Sequence, residues 1–297
     1  MAEQRFALVT GCGQGGIGEA LVKEYARRGL RPIATLLASE PSQHLDEAGI
    51  EWFPLDVTRK ESVVELRKWV EGLTGGRLDV LVNNAGKGEA KCKWREVAGA
   101  DKTAYTMTAI DTDVGEVQQM FDVNLFGPMR MVHYFHDLLI QSAGIIVNIG
   151  SVGGIVPYVY GSSYNASKAA LHAWSNTLRV EMAALEVLTV ISGEIGTNIL
   201  KSDAARQLPQ DSYYSPLAQE FEKHVQRVPD TTSRFVYAEQ VVAQSLKTVP
   251  AAWFWYGKTT SMVRLLDMFG WRTVFDGIFW NMFGLAKLRH GEKMKMK

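Results

Sequence analysis

The sequence predicts a doubly wound α/β fold, and three observations carry that expectation. Short, almost wholly apolar runs alternate with segments of helical periodicity. A glycine cluster separates the first run from the first helical segment, as in Rossmann-type sheets with helices on both faces. Polar residues suited to ligand chemistry recur just after the apolar runs, where open α/β sheets bind their ligands.

Taken in order, Phe6–Val9 is the first apolar run, and residues 19–28 place Ala20, Leu21 and Tyr25 at helical spacing. Residues 32–37 and 52–55 read as the second and third strands, the latter ended by Asp56. Residues 63–70 are helical, residues 78–82 form a buried strand, and Asn-Asn-Ala-Gly at 83–86 is a turn. Residues 114–140 read as one helix before a strand at 144–149, and residues 163–184 as a helix before a strand at 188–191. Strands that are apolar throughout are covered on both faces, which implies parallel pairing with right-handed crossovers. The expected organisation is one catalytic domain over residues 1–250, with a substrate lid at about 200–230, followed by an aromatic helical extension over 251–297.

Composition excludes several classes. With 32 basic and 32 acidic side chains the net charge is zero, which argues against a nucleic-acid partner. Two cysteines, Cys12 and Cys92, are too few for a disulfide framework, so a reducing, cytoplasmic setting is expected. The polar start at residues 1–5 lacks the pattern of a secretory signal, and no run of about 18 apolar residues suggests a membrane span. No metal ligand set is expected.

Thr-Gly-Cys-Gly-Gln-Gly-Gly-Ile-Gly at 10–18 lets the backbone turn tightly and approach a pyrophosphate, with a helix N-terminus behind it. Asp56 and Val57 either cap a helix or hold an adenine amino group. Asn83 to Gly86 is equally a structural turn. Found in this order at successive strand ends, these segments support one dinucleotide lying across the sheet.

Tyr164 and Lys168 stand four residues apart, on one face of a helix. None of the other nine tyrosines has lysine at that spacing. A free phenol, with a pKa near 10, exchanges protons poorly at neutral pH, and a neighbouring ammonium is expected to lower it. Ser151 would hydrogen-bond the same carbonyl oxygen that Tyr164 protonates. Asn124 would hold a water that extends a proton relay from Lys168. The chemistry expected is ketone reduction or alcohol oxidation by hydride transfer. The rival from another class, a cofactor-sensing protein without turnover, would be expected to have lost Tyr164 or Lys168.

On these motifs residues 5–200 resemble the short-chain dehydrogenase/reductase family. The resemblance implies cofactor contacts at Gly11, Gln14, Gly16, Ile17, Leu37, Asp56, Val57, Asn83, Ala85, Gly86, Tyr164, Lys168, Ile195 and Thr197. It implies catalytic roles for Asn124, Ser151, Tyr164 and Lys168. Within the family, the extended glycine loop, Asp-Val-Asn-x-Phe-Gly and the aromatic tail are most similar to fungal 1-acyldihydroxyacetone-phosphate reductases, whose homologues also serve as tailoring reductases of secondary metabolism. That similarity implies an apolar or lipid-like ketone or alcohol as substrate, and NADP(H) favoured over NAD(H).

Three departures qualify the resemblance. The usual Pro-Gly reads Ser192-Gly193, although Thr197 keeps its place. About fifteen extra residues lie between Gly86 and Tyr105. Neither an arginine near Leu37 nor an acid near Leu36 is visible to read the adenosine ribose.

In the tail, Trp271, Phe275, Ile278, Phe279, Met282 and Phe283 recur at spacings of three and four, an apolar helical face followed by Lys293, Lys295 and Lys297. Two partners stand open for it. One is protein, as internal packing or a homo-oligomer contact. The other is a membrane surface, such as endoplasmic reticulum or a lipid droplet. The protein partner is the favoured expectation.

Overall fold

The computed structural model describes residues 4–86, 106–197 and 206–289. In chain order, β1 (Phe6–Val9), α1 (Ile17–Arg27), β2 (Arg31–Leu36), the single turn α2 (Gln43–Asp46), β3 (Glu51–Pro54), α3 (Lys60–Thr74) and β4 (Val80–Asn83) come first. They are followed by α4 (Val114–Phe121), α5 (Gly127–Gln141), β5 (Ile145–Ile149), α6 (Ser162–Glu181) and β6 (Glu186–Ser192). The short pair β7 (Ile195–Gly196) and β8 (Thr232–Ser233) brackets α7 (Ala218–Val225), and α8 (Arg234–Ser245), β9 (Trp253–Tyr256), α9 (Thr260–Phe269) and α10 (Asp276–Met282) complete the order.

Seven strands pair in parallel in the order β3-β2-β1-β4-β5-β6-β9. Both faces of the inner strands are buried, as their unbroken apolar runs require, while the edge strands β3 and β9 are partly exposed. Ala7 and Val9 pack with Tyr25 of α1 and with Tyr237 and Val241 of α8 on one side. Phe6 and Leu8 pack with Leu66 of α3, Phe135 of α5 and Leu178 of α6 on the other. Each large side chain buried in this way contributes roughly 1.5–3 kcal/mol. The chain moves outward from β1 to β3, returns beside β1 as β4, and then builds in the opposite direction. At that reversal the chain leaves β1 for α1 on one face of the sheet and β4 for α5 on the other, the switch point at which open α/β sheets take ligands beyond the carboxyl ends of their strands.

The structure differs from the sequence expectation in three places. The segment expected as one helix over 114–140 is interrupted by a π turn at Asp122–Phe126. Pro128 has no N–H to give to the carbonyl of Asn124, four residues back, so the helix widens there.

The extension over 251–297 does not begin as helix. Trp253–Tyr256 pairs with β6 as the seventh strand, and its aromatic and β-favouring residues suit that place.

The apolar face of the tail is also divided. α9 ends at Gly270, and Phe275, Phe279 and Phe283 turn inward against Tyr158, Tyr160, Phe221 and Val225. Trp271, Ile278 and Met282 remain exposed. The insertion at 87–104, Tyr105, Cys92, Lys201, Lys293, Lys295 and Lys297 lie outside the described residues.

Candidate active site

The glycine loop is held from both neighbouring strands. The hydroxyl of Thr10 accepts from the amides of Asn84 (3.0 Å) and Ala85 (2.9 Å). The Asn84 amide group donates back to the carbonyls of Thr10 (2.8 Å) and Gly11 (2.9 Å). Gly11 has φ +71°, and a methyl group there would sit 2.8 Å from the Ala85 backbone. At Gly18 a methyl would sit 2.3 Å from the Gly11 carbonyl. Gly16 caps α1, Ile17 begins it, and Gln14 stands exposed on the loop. Cys12 is scaffold: burial pushes its thiol up to about 12, away from any role as a nucleophile.

Asp56 follows β3, and one of its oxygens accepts from the amide (2.9 Å) and hydroxyl (2.6 Å) of Thr58, an Asx turn rather than a helix cap. Val57 is buried against Gly127. Asn83 points its side chain inward, donating to Asn148 (2.8 Å), which donates in turn to Ser175 (2.8 Å). Its side chain therefore ties β4 to β5 and α6. Ile195 likewise turns its side chain into the core, while Thr197 is half-buried.

In place of the family's Pro-Gly, the Ser192 hydroxyl meets that of Tyr237 at 2.5 Å. Gly193 is required by close approach, because a methyl there would lie 1.9 Å from the Lys258 carbonyl.

Ser151, Tyr164, Lys168 and Asn124 converge at the ends of β4 and β5. Ser151 is extended, its hydroxyl accepts from the Gly153 amide (3.0 Å), and it stands near enough to the Tyr164 phenol to pull its pKa down. Lys168 is buried one turn further along α6, where its ammonium donates to the carbonyl of Ile149 (2.9 Å) and lies 5.8 Å from the Tyr164 ring centre. Burial brings Lys168 down to about 8. Asn124 lies in the π turn and donates to the Ser167 hydroxyl (3.0 Å), which donates to the Tyr164 carbonyl (2.8 Å).

The expected lowering of the Tyr164 pKa is not what the structure gives. Burial raises it, and the neighbouring Ser151 side chain pulls back only in part. The phenol is therefore protonated at neutral pH, in the form a proton donor needs.

Two neighbours of this edge were not singled out from the sequence. Glu40 folds back so that its carboxylate accepts from the Leu37 amide at 2.9 Å, placing an acid at the end of β2 that linear inspection near Leu36 does not reveal. His172 continues the series Tyr164, Lys168, His172 at intervals of four, and that spacing was the available signal.

The exposed Gly86 brings its backbone up to the two groups a cofactor ribose would meet, because a methyl there would make only ordinary contacts, 3.7 Å to Asn124 Oδ1 and 4.0 Å to Lys168 Nζ. Among the described residues no cluster of His, Cys, Asp or Glu could hold a metal ion.

Comparison with known proteins agrees with this geometry. A family model described as short chain dehydrogenase matches residues 5–208. The short-chain dehydrogenase fogD of Aspergillus ruber is 63% identical over 296 residues, covering 99% of this chain and 98% of its own. The NADPH-dependent 1-acyldihydroxyacetone phosphate reductase of Schizosaccharomyces pombe is 34% identical over 262 residues, covering 86% and 82%. A solved short-chain dehydrogenase from Streptomyces avermitilis shares the fold, with a TM-score of 0.73 at 23% identity over 98% of this chain and 99% of that one.

Proposed function

Because the chain belongs to the short-chain dehydrogenase family, we propose that it is an NADPH-dependent reductase of an apolar ketone, with Tyr164 as the proton donor. The observation that carries this reading is the convergence of Ser151, protonated Tyr164 and buried Lys168 beside the exposed Gly86.

The nicotinamide cofactor supplies a hydride when bound. Gly11, Gly16, Ile17, Ala85 and Gly86 would hold its phosphates and ribose through their backbone, and Lys168 would hold a ribose hydroxyl. Tyr164 gives its proton to the carbonyl oxygen, and the Ser151 hydroxyl hydrogen-bonds the same oxygen as charge develops. The Lys168 ammonium, charged below about pH 8, favours the phenolate that Tyr164 becomes. Asn124 anchors the relay that returns the proton.

The surroundings favour an aromatic or polycyclic ketone over a phosphorylated acyl ester. Val152, Ile155, Val156, Tyr158 and Leu208 gather with α7 and α10 in one apolar cluster beside Ser151. Arg227, the cation stacked on Tyr158, is committed to Glu194 at 2.9 Å. Kinship weighs against the phosphorylated ester, since the relative named for it stands at 34% identity and the short-chain dehydrogenase fogD at 63%. Following cofactor absorbance over a panel of prenylated polycyclic ketones, steroids and acyl-dihydroxyacetone phosphate tests the assignment. It expects turnover of the unphosphorylated ketones.

For the cofactor, the NADPH-dependent relative supports NADPH, while the Glu40 carboxylate on the Leu37 amide opposes a 2′-phosphate. The preference for NADPH is therefore small. Glu40→Gln is expected to tighten NADPH about tenfold relative to NADH, because it removes a like charge from the phosphate site. Titration of both cofactors by fluorescence checks this, and an unchanged ratio contradicts it.

The inner side of the tail packs on its own chain, and the outer side is assigned to a second copy. Met262, Leu265, Met268 and Met282 are exposed, as are Phe269 (77%) and Trp271 (73%), a patch of the kind that marks an interface. No helix among the described residues is long and apolar enough to cross a membrane. Replacing Phe269 and Trp271 together by Ser is expected to shift the protein from oligomer to monomer in analytical ultracentrifugation without unfolding it. Unchanged oligomeric size, with the intact protein sedimenting on anionic vesicles, contradicts the assignment and favours a lipid partner.

A further inference from the structure

His172 lies on α6 one turn beyond Lys168, on the same side of the helix as Tyr164, and is buried. Its ring fills a slot that only glycine leaves open. A methyl at Gly150 would sit 2.4 Å from His172 Nε2, and one at Gly154 would sit 2.5 Å from its Cε1. These two glycines bracket the segment that carries Ser151. Within it the Ser151 backbone amide donates to His172 Nε2 at 3.3 Å. On the far side the ring packs against Trp253 of β9, with centres 5.3 Å apart, and Trp253 is itself fixed by donating to Asn176 at 2.6 Å.

An imidazole that accepts at Nε2 must carry its proton on Nδ1. That Nδ1 is buried without a hydrogen-bond partner. Leaving a buried donor unmet is costly, so packing alone would favour an apolar ring at this position. The hydrogen bond gained by the histidine is the one to Ser151. Burial and the nearby Lys168 charge bring His172 down to about 4, which keeps Nε2 free to accept.

We propose that His172 is a positioning residue for Ser151: its Nε2 holds the Ser151 amide and its ring wedges the Gly150 to Gly154 turn, so that the serine hydroxyl is aimed at Tyr164. This inference rests on the reading of Ser151 as a partner of the reacting oxygen. It adds to Asn124, Ser151, Tyr164 and Lys168 a fifth side chain, one on which the reaction depends through the geometry of another residue, without contact with substrate.

The test uses the full chain with NADPH and phenanthrenequinone, a flat apolar diketone, as probe. His172→Ala is expected to lower kcat about tenfold and to leave NADPH affinity within about twofold. His172→Gln, whose amide oxygen restores an acceptor, is expected to recover most of the loss. In a Ser151→Ala background, His172→Ala is expected to cost no more than about twofold, because the residue it positions is gone. Hydrogen exchange at the Ser151 amide is expected to accelerate in His172→Ala and to remain slow in His172→Gln.

Equal losses of kcat in both backgrounds, or unchanged exchange at Ser151, would overturn the proposal. A Ser151→Ala variant with the parent's kcat would instead overturn the role of Ser151 itself. Exchange decides the positioning contact even where the diketone is turned over too slowly to measure.

Discussion

Tyr164→Phe is expected to lower kcat for ketone reduction about a thousandfold, within the range that a positioned proton donor supplies. NADPH affinity should stay within about twofold, because the ring and its packing remain and only the phenolic oxygen is lost. The structure gives the reason for so large an effect. Burial holds the Tyr164 proton in place at neutral pH, and the Ser151 hydroxyl stands beside the same oxygen. The two tyrosines nearest in the chain offer no substitute, because Tyr158 and Tyr160 pack their rings against Phe279 of α10 and Phe221 of α7. Steady-state kinetics together with cofactor titration make the measurement. A Tyr164→Phe variant with parental turnover and an unchanged fold would remove Tyr164 from the chemistry.

Lys168→Met is expected to cost turnover about a hundredfold or more and, unlike Tyr164→Phe, to weaken cofactor binding as well. It is also expected to stabilise the folded chain at neutral pH. Burial lowers the ammonium from 10.5 to about 8, so the folded state carries a penalty of roughly 3 kcal/mol while the lysine is charged. Losing the hydrogen bond to Ile149 offsets about 1–2 kcal/mol of the gain.

The pH dependence has a definite sign. Between about 8 and 10.5 the unfolded lysine binds a proton that the folded one has released, so the parent gains stability as pH rises. Methionine has no such gain. The advantage of Lys168→Met in denaturant unfolding should therefore be largest below pH 8 and shrink towards pH 10.5. A variant less stable than the parent at pH 7, with a gap that does not vary with pH, would contradict the account of Lys168.

Much of this architecture is written in local patterns. The strands are short apolar runs because both faces are covered, and the loop at 10–18 carries glycines where backbone meets backbone. Spacing alone placed Tyr164 and Lys168 on one face of α6. What escaped the sequence depended on contacts between distant or folded-back segments. Trp253–Tyr256 reads as part of an aromatic tail until β6 offers an edge to pair with. Glu40 becomes an acid at the cofactor edge only when its loop doubles back onto Leu37.

The π turn at Asn124 had a readable cause in Pro128, although periodicity across residues 114–140 concealed it. The spacing of Tyr164 and Lys168 shows a charge nearby but not the burial of the phenol, and desolvation is the larger influence in the folded chain. The aromatic spacing in the tail identified a real face, but Gly270 and the position of α10 divide it between core and surface.

The central claim is that this chain moves a hydride to a carbonyl carbon while Tyr164 protonates the oxygen. Its most direct test is label transfer. The parent and Tyr164→Phe would be incubated with NADPH deuterated at the transferring carbon of the nicotinamide and with a polycyclic ketone from the panel, and the alcohol product would be analysed by mass spectrometry and NMR. The account predicts one deuterium on the carbinol carbon, on a single face, with product nearly absent for Tyr164→Phe. Alcohol formed without deuterium at that carbon, or formed equally well by Tyr164→Phe, would contradict it.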